Sequence, residues 1–162
     1  EYLRTFDKLK QTNPHIEFSS DFIIGYPGED EQDFKDTINL IKKVNFINSY
    51  SFIFSPRPGT AAENLALIDK KISMKRLEKI QSLLYENQIR ANKSIENQTI
   101  DVLVENLTKD KTRAFGRSEY MTPVIFDGKE ENVGKIVQVK IKKSNRNTLF
   151  GELINVSNKK VA

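Results

Sequence analysis

Residues 21–29 read Asp-Phe-Ile-Ile-Gly-Tyr-Pro-Gly-Glu: three apolar residues run straight into a glycine-proline turn and then into acid. A parallel strand that ends in such a turn ahead of a helix sets main-chain groups at the carboxyl edge of a sheet, where α/β proteins bind ligands. Glycine there lets a ligand approach the backbone. The chemistry open to the stretch is binding, at the lip of a cofactor pocket, and an ordinary turn after a buried strand fits the same residues. It has the spacing neither of a phosphate-binding loop nor of a dinucleotide fingerprint.

Other reactive side chains are scarce. The 162 residues contain no cysteine, so disulfides, zinc ribbons, thiol nucleophiles and iron-sulfur ligation are outside this chain's chemistry. The single histidine, His15, follows Pro14 in a polar stretch and reads as a solvated loop residue, because one imidazole without convergent ligands makes a poor metal site. No run approaches the roughly 20 apolar residues of a membrane span. A cytoplasmic protein with no membrane partner is the expectation. The chain starts with Glu1, which fits processing or a piece of something longer.

The elements that must position these residues follow from periodicity. Leu3, Phe6 and Leu9 predict a helix over 1–11 that Asn13-Pro14 ends. Residues 16–25 predict a strand, its continuous apolar run implying cover on both faces. Asp30 is the expected cap of the next helix, with Asp33 completing a capping box and Phe34, Ile38 and Ile41 forming the buried stripe. Residues 46–55 return as a second, parallel strand, which makes a βαβ unit. Within it Tyr50, Phe52 and Phe54 share one face and Ser51, Ile53 and Ser55 the other. That split predicts a bulky face packed on helices and a small face lining a cavity; a ligand-free amphipathic strand fits equally. Ser73 is the expected cap of a long helix whose stripe is Leu77, Ile80, Leu84, Ala91 and Ile95.

From about Asn97 the pattern changes to five short alternating segments at roughly ten-residue spacing, which predicts a small antiparallel barrel or sandwich. The boundary is placed at 96/97, giving domains 1–96 and 97–160. Charge divides along the same line. Residues 1–96 carry 14 bases and 14 acids, whereas residues 97–162 carry 12 bases and 8 acids, so the basic excess belongs to the β part. A polyanion partner fits, as does a solvated lysine face.

Taken in order, the 21–29 stretch, the segment NSYSFIFSPRPGTAA, the Arg76-Leu77 helix, and a basic β module with GRSEYMTPVIF and NTLFGEL closely resemble the C-terminal half of the tRNA methylthiotransferases, which are radical S-adenosylmethionine (SAM) enzymes. The resemblance covers almost the whole chain. It implies an α/β part followed by an all-β part: the last portion of a radical SAM partial (β/α)6 barrel, then a five-stranded, OB-like TRAM barrel that binds RNA. It also implies addition of a 2-methylthio group to N6-(dimethylallyl)adenosine beside the tRNA anticodon, through a 5′-deoxyadenosyl radical. The full-length enzyme would use SAM and two [4Fe-4S] clusters, would bind the anticodon stem-loop of tRNA, and would be monomeric. Its cluster cysteines are expected upstream of Glu1, so residues 1–162 alone would be inactive.

The resemblance implies site residues too. Ile23 and Gly25 match the fifth-strand motif that meets the adenine of SAM, with Ile24 beside them; Asp21 stands where the motif has its first glycine, and Glu29 falls one position beyond its acid. Arg57 leaves the edge of the next strand, where a guanidinium could reach phosphate or cluster-side groups, or pin its loop by a salt bridge. For RNA the candidates are Lys109, Lys111, Arg113 and Arg117 around the first hairpin, and Lys140, Lys142, Lys143 and Arg146 around the fourth strand. Tyr120 or Phe115 could stack on a base, although Phe115 alternates like a core residue. The alternatives are a sister methylthiotransferase, acting on threonylcarbamoyladenosine tRNA or a ribosomal protein, and a non-catalytic RNA-binding protein.

Overall fold

Asp30 starts the helix it was expected to start. Its carboxylate accepts from the amides of Gln32 and Asp33 at 2.7 and 2.8 Å, and the Asp33 carboxylate in return accepts from the Asp30 amide, so the capping box forms. In the computed structural model, which describes residues 1–156, this helix is α2 (Glu31–Val44). Residues 157–160 of the expected second domain lie outside the described residues. Before α2 come α1 (Tyr2–Thr12) and strand β1 (Asp21–Ile24); after it come β2 (Tyr50–Ile53) and α3 (Lys70–Ser94). The strands are parallel, with Asp21 opposite Tyr50 and Ile23 opposite Phe52, as the βαβ reading requires.

Both strands are shorter than the apolar runs. Before the ladder the chains are tied by single bonds, Ile47 N to Phe18 O and Ser20 N to Ser49 Oγ, each 2.9 Å, and Asn48 at φ 47° interrupts extended geometry. The cap of α3 also differs. Asp69, not Ser73, accepts the first helical amides, from Lys71 at 2.8 Å and Ile72 at 3.3 Å. Ser73 lies inside the helix and is buried.

Two compact units divide the chain, Glu1–Asn87 and Gln88 onward. In the first, Phe22 and Ile24 of β1 pack with Ile41 and Val44 of α2, Phe46, and Ile80 and Leu84 of α3. Among the described residues, only one face of the two-stranded sheet is covered. Ile23, Tyr50 and Phe52 on the other face are 59%, 66% and 53% exposed. This corrects two expectations: the apolar run of β1 is not covered on both sides, and the bulky face of β2 is its open face.

The second unit is a closed barrel in the order β3-β4-β5-β7-β6, with β3 Thr99–Leu107, β4 Ala114–Ser118, β5 Pro123–Asp127, β6 Ile136–Ser144 and β7 Leu149–Val156. All five predicted segments become strands. One pairing departs from the antiparallel expectation: β5 and β7 run parallel, because β6 crosses over to close on β3. Val102, Val104, Ala114, Val124, Phe126, Val137, Val139, Ile141 and Leu149 fill the interior, with Ile95 packed against them. Asn92 holds the β6–β7 turn by donating to the carbonyls of Asn145 and Arg146 at 2.8 and 2.9 Å.

Candidate functional site

Gly25 ends β1 at φ 73°, a conformation that glycine adopts without strain. Its amide donates to Glu29 Oε2 at 2.9 Å. The other oxygen of Glu29 accepts from Arg76 Nη1 at 2.7 Å, the same Nη1 reaches the Glu29 carbonyl at 3.0 Å, and Arg76 Nη2 meets Glu31 at 2.6 Å. The guanidinium lies 5.2 Å from the Phe34 ring centroid and its Nε is buried with no partner among the described residues. Hydrogen bonding to Glu31, then to Glu29, raises the Arg76 pKa further against the opposing effect of burial. The guanidinium is therefore a permanent charge that fastens the sheet-edge turn to α3. A Cβ at Gly25 would come 2.5 Å from Ser73 Oγ, so Ser73 occupies the space that the missing side chain leaves.

The structure separates the candidate cofactor contacts. Ile23 opens onto the uncovered sheet face beside Phe52, whereas Ile24 is 1% exposed and faces the helices. Strand alternation cannot turn both side chains toward one ligand. Tyr26 and Phe54 meet edge to face at 5.0 Å beyond the strand ends. Arg57 is exposed; its carbonyl accepts from Thr60, and its guanidinium makes no ion pair among the described residues. His15 is exposed in its loop. No group of three or more His, Cys, Asp or Glu side chains placed to hold a metal ion occurs among the described residues.

The barrel register likewise sorts the basic residues. β3 and β6 are antiparallel with Thr99 opposite Lys140 and Leu103 opposite Ile136, so the β3–β4 loop with Lys109 and Lys111 and the β6–β7 loop with Arg146 lie at opposite ends. Three cations are paired: Arg113 with Asp127 at 3.1 Å, Arg117 with Glu105 at 3.2 Å, and Lys142 with Glu152 at 3.0 Å. Lys109, Lys111, Lys142, Lys143 and Arg146 are exposed, and Lys140 is half-buried. Phe115 is not core. Ala114, Gly116 and Ser118 take the inward positions of β4, which turns Phe115 and Arg117 outward.

Residues 93–154 match the TRAM domain family. Over all 162 residues the chain is 65% identical to a tRNA-2-methylthio-N(6)-dimethylallyladenosine synthase of Pelagibacter ubique, of which it covers 36%. The chain is thus similar along its whole length to such a synthase and carries a TRAM domain at residues 93–154. Synthases of the same name from Ruthia magnifica and Bartonella quintana are 43% and 38% identical over 95% and 96% of the chain, covering 35% and 34% of those proteins. The chain thus spans about a third of the length of the curated synthases it matches.

Sequence reasoning missed Arg76 and Ser73 as site residues. A signal was present. Extending the buried stripe of α3 back from Leu84 and Ile80 by four-residue steps reaches Arg76, with Ser73 on the adjoining row. A charge on a buried stripe requires a partner, and Glu29 supplies it.

Proposed function

We propose that this chain is part of an enzyme that adds a methylthio group to N6-(dimethylallyl)adenosine in tRNA, its α/β unit lining part of the SAM site and its barrel carrying the tRNA. The observation that carries the reading is 65% identity across all 162 residues to a synthase named for that reaction. The domains proposed are 1–96 and 97–160, and the RNA proposed is the anticodon stem-loop, held by one copy of the full-length enzyme.

The residues fit SAM in part. Ile23 offers an open apolar side chain for an adenine at the carboxyl edge, while the Gly25 amide is engaged by Glu29 and contributes shape rather than a bond. Arg57 is left to reach an anionic group from the adjoining loop. An iron-sulfur cluster does not fit, because thiolates must hold it and these residues include none. When bound, SAM supplies radical chemistry. The chain's own part is to shape one wall of its site, fix the turn through Arg76 and Glu29, and bind RNA through the barrel.

The test expresses the whole gene in a host lacking the modification and examines digested tRNA by mass spectrometry. Appearance of 2-methylthio-N6-dimethylallyladenosine is the expected result. Methylthiolation of threonylcarbamoyladenosine, of a ribosomal protein, or of nothing would overturn the assignment.

A further inference from the structure

Two Phe-Gly pairs stand in corresponding places on the barrel, Phe115-Gly116 on β4 and Phe150-Gly151 on β7. Both glycines point inward where nothing larger fits: a Cβ at Gly151 would lie 2.5 Å from the Lys140 carbonyl oxygen, and one at Gly116 would strike that of Leu103. Alternation then forces both phenylalanines onto the outer face. Pairing aligns them. Phe115 is opposite Ile125, Ile125 is opposite Phe150, and Phe150 is opposite Lys143, so one apolar row crosses β4, β5 and β7 and ends at a lysine. None of the three apolar side chains belongs to the interior cluster, and each is half-buried.

Cations border the row. Arg113 and Arg117 precede and follow Phe115 on the same face, with the Arg117 guanidinium 5.9 Å from the Phe115 centroid, and Lys142 and Lys143 lie beside Phe150. Glu105, Asp127 and Glu152 pair with Arg117, Arg113 and Lys142. Those acids nearly balance the local charge, so attraction for phosphate alone does not account for the face. Its distinctive feature is two aromatic rings two strand spacings apart, about 10 Å, room for one base on each. Flat rings meet bases only where the bases are unstacked from a duplex, as in a loop.

We infer that the row Phe115, Ile125 and Phe150 is a stacking platform for unpaired bases of RNA, with Lys143 and Arg117 placed for the adjoining phosphates. The inference rests on the proposed tRNA reading and assigns that partner to one face of the barrel.

Fluorescence anisotropy of a labelled RNA hairpin with an unpaired loop, against the same stem as a blunt duplex, tests it. Phe115→Leu and Phe150→Leu keep apolar cover but lose the ring; each should weaken hairpin binding by about 5- to 100-fold and leave the salt dependence unchanged. Ultraviolet crosslinking of the unmodified chain should join loop bases to the peptides holding Phe115 and Phe150, a readout independent of how the variants fold. If the wild type binds RNA but the leucine variants bind as tightly, the duplex binds as well as the hairpin, or crosslinks fall elsewhere, the platform is overturned and the tRNA reading stands. If the wild type binds no RNA, both fall. A leucine variant that changes only self-association in sedimentation would make the row a contact between copies, also overturning it.

Discussion

Arg76 and Glu29, 47 residues apart, are joined by a 2.7 Å ion pair whose carboxylate also accepts the Gly25 amide. The two side chains are 8% and 12% exposed, so neither charge has much water to fall back on. Removing one partner strands the other, and Arg76→Ala or Glu29→Ala is expected to cost about 3–5 kcal/mol. Arg76→Lys should recover little, because one ammonium cannot reproduce the fork that reaches both Glu29 and Glu31. Urea unfolding followed by circular dichroism measures this; a loss of under about 1 kcal/mol, the range of an exposed pair, would contradict the clamp.

Gly25 faces two separate penalties on substitution. Its φ of 73° strains any L side chain, and a Cβ would meet Ser73 Oγ. Gly25→Ala should therefore destabilise the α/β unit, and the part due to contact should vanish in a Ser73→Gly background, although glycine there costs about 1 kcal/mol of helix stability. A double-mutant cycle isolates the contact. Additive effects would show that Ser73 moves aside and that backbone strain is the whole cause.

The βαβ unit, the Asp30 capping box and the five barrel strands were legible because each is written in local periodicity or in a cap. Which strand face is covered was not. The run Phe22-Ile23-Ile24 has the same pattern whether one or two layers lie against it, and Ile23 is open because helices cover only one side. Phe115 illustrates the same limit. Alternation divides β4 into two faces without saying which is inner, and the choice is made by crowding at Gly116 against Val102 and Leu103 of the paired strand β3. The cofactor-side candidates Ile23 and Ile24 were adjacent in sequence, and adjacency in a strand is what separates them.

Acid should weaken the barrel through Glu96. Its carboxylate accepts the Ser144 hydroxyl at 2.7 Å and the Ser144 amide at 2.9 Å. The hydroxyl bond foremost, helped by the amide, Lys93 and Lys143 against the effect of burial, holds its pKa below the ordinary value of 4.5. A carboxyl depressed on folding contributes stability that is complete above its unfolded pKa and is lost as pH falls through the lower folded value. Asp110, depressed mainly by the Thr108 hydroxyl, acts in the same direction. Denaturation midpoints between about pH 3 and 7 should therefore fall on acidification, and less steeply for Glu96→Gln. Parallel curves would mean that the Ser144 contact is not kept in solution.

The acids on the platform's margin give a prediction of opposite sign to the usual effect of surface mutations. Asp127 and Glu152 face each other across β5 and β7 and occupy Arg113 and Lys142. Their side chains are well exposed, so each pair contributes little to stability, about 0–1 kcal/mol. Asp127→Asn with Glu152→Gln should leave the fold intact while releasing two cations beside Phe115 and Phe150. If phosphates pass there, RNA affinity rises and the slope of log K against log salt steepens by about 0.7 for each cation recruited on a single strand. Anisotropy titrations at several salt concentrations provide both quantities. An affinity and slope identical to those of the unaltered chain would place the RNA backbone away from this margin and leave Lys143, Arg117 and the end loops to carry it.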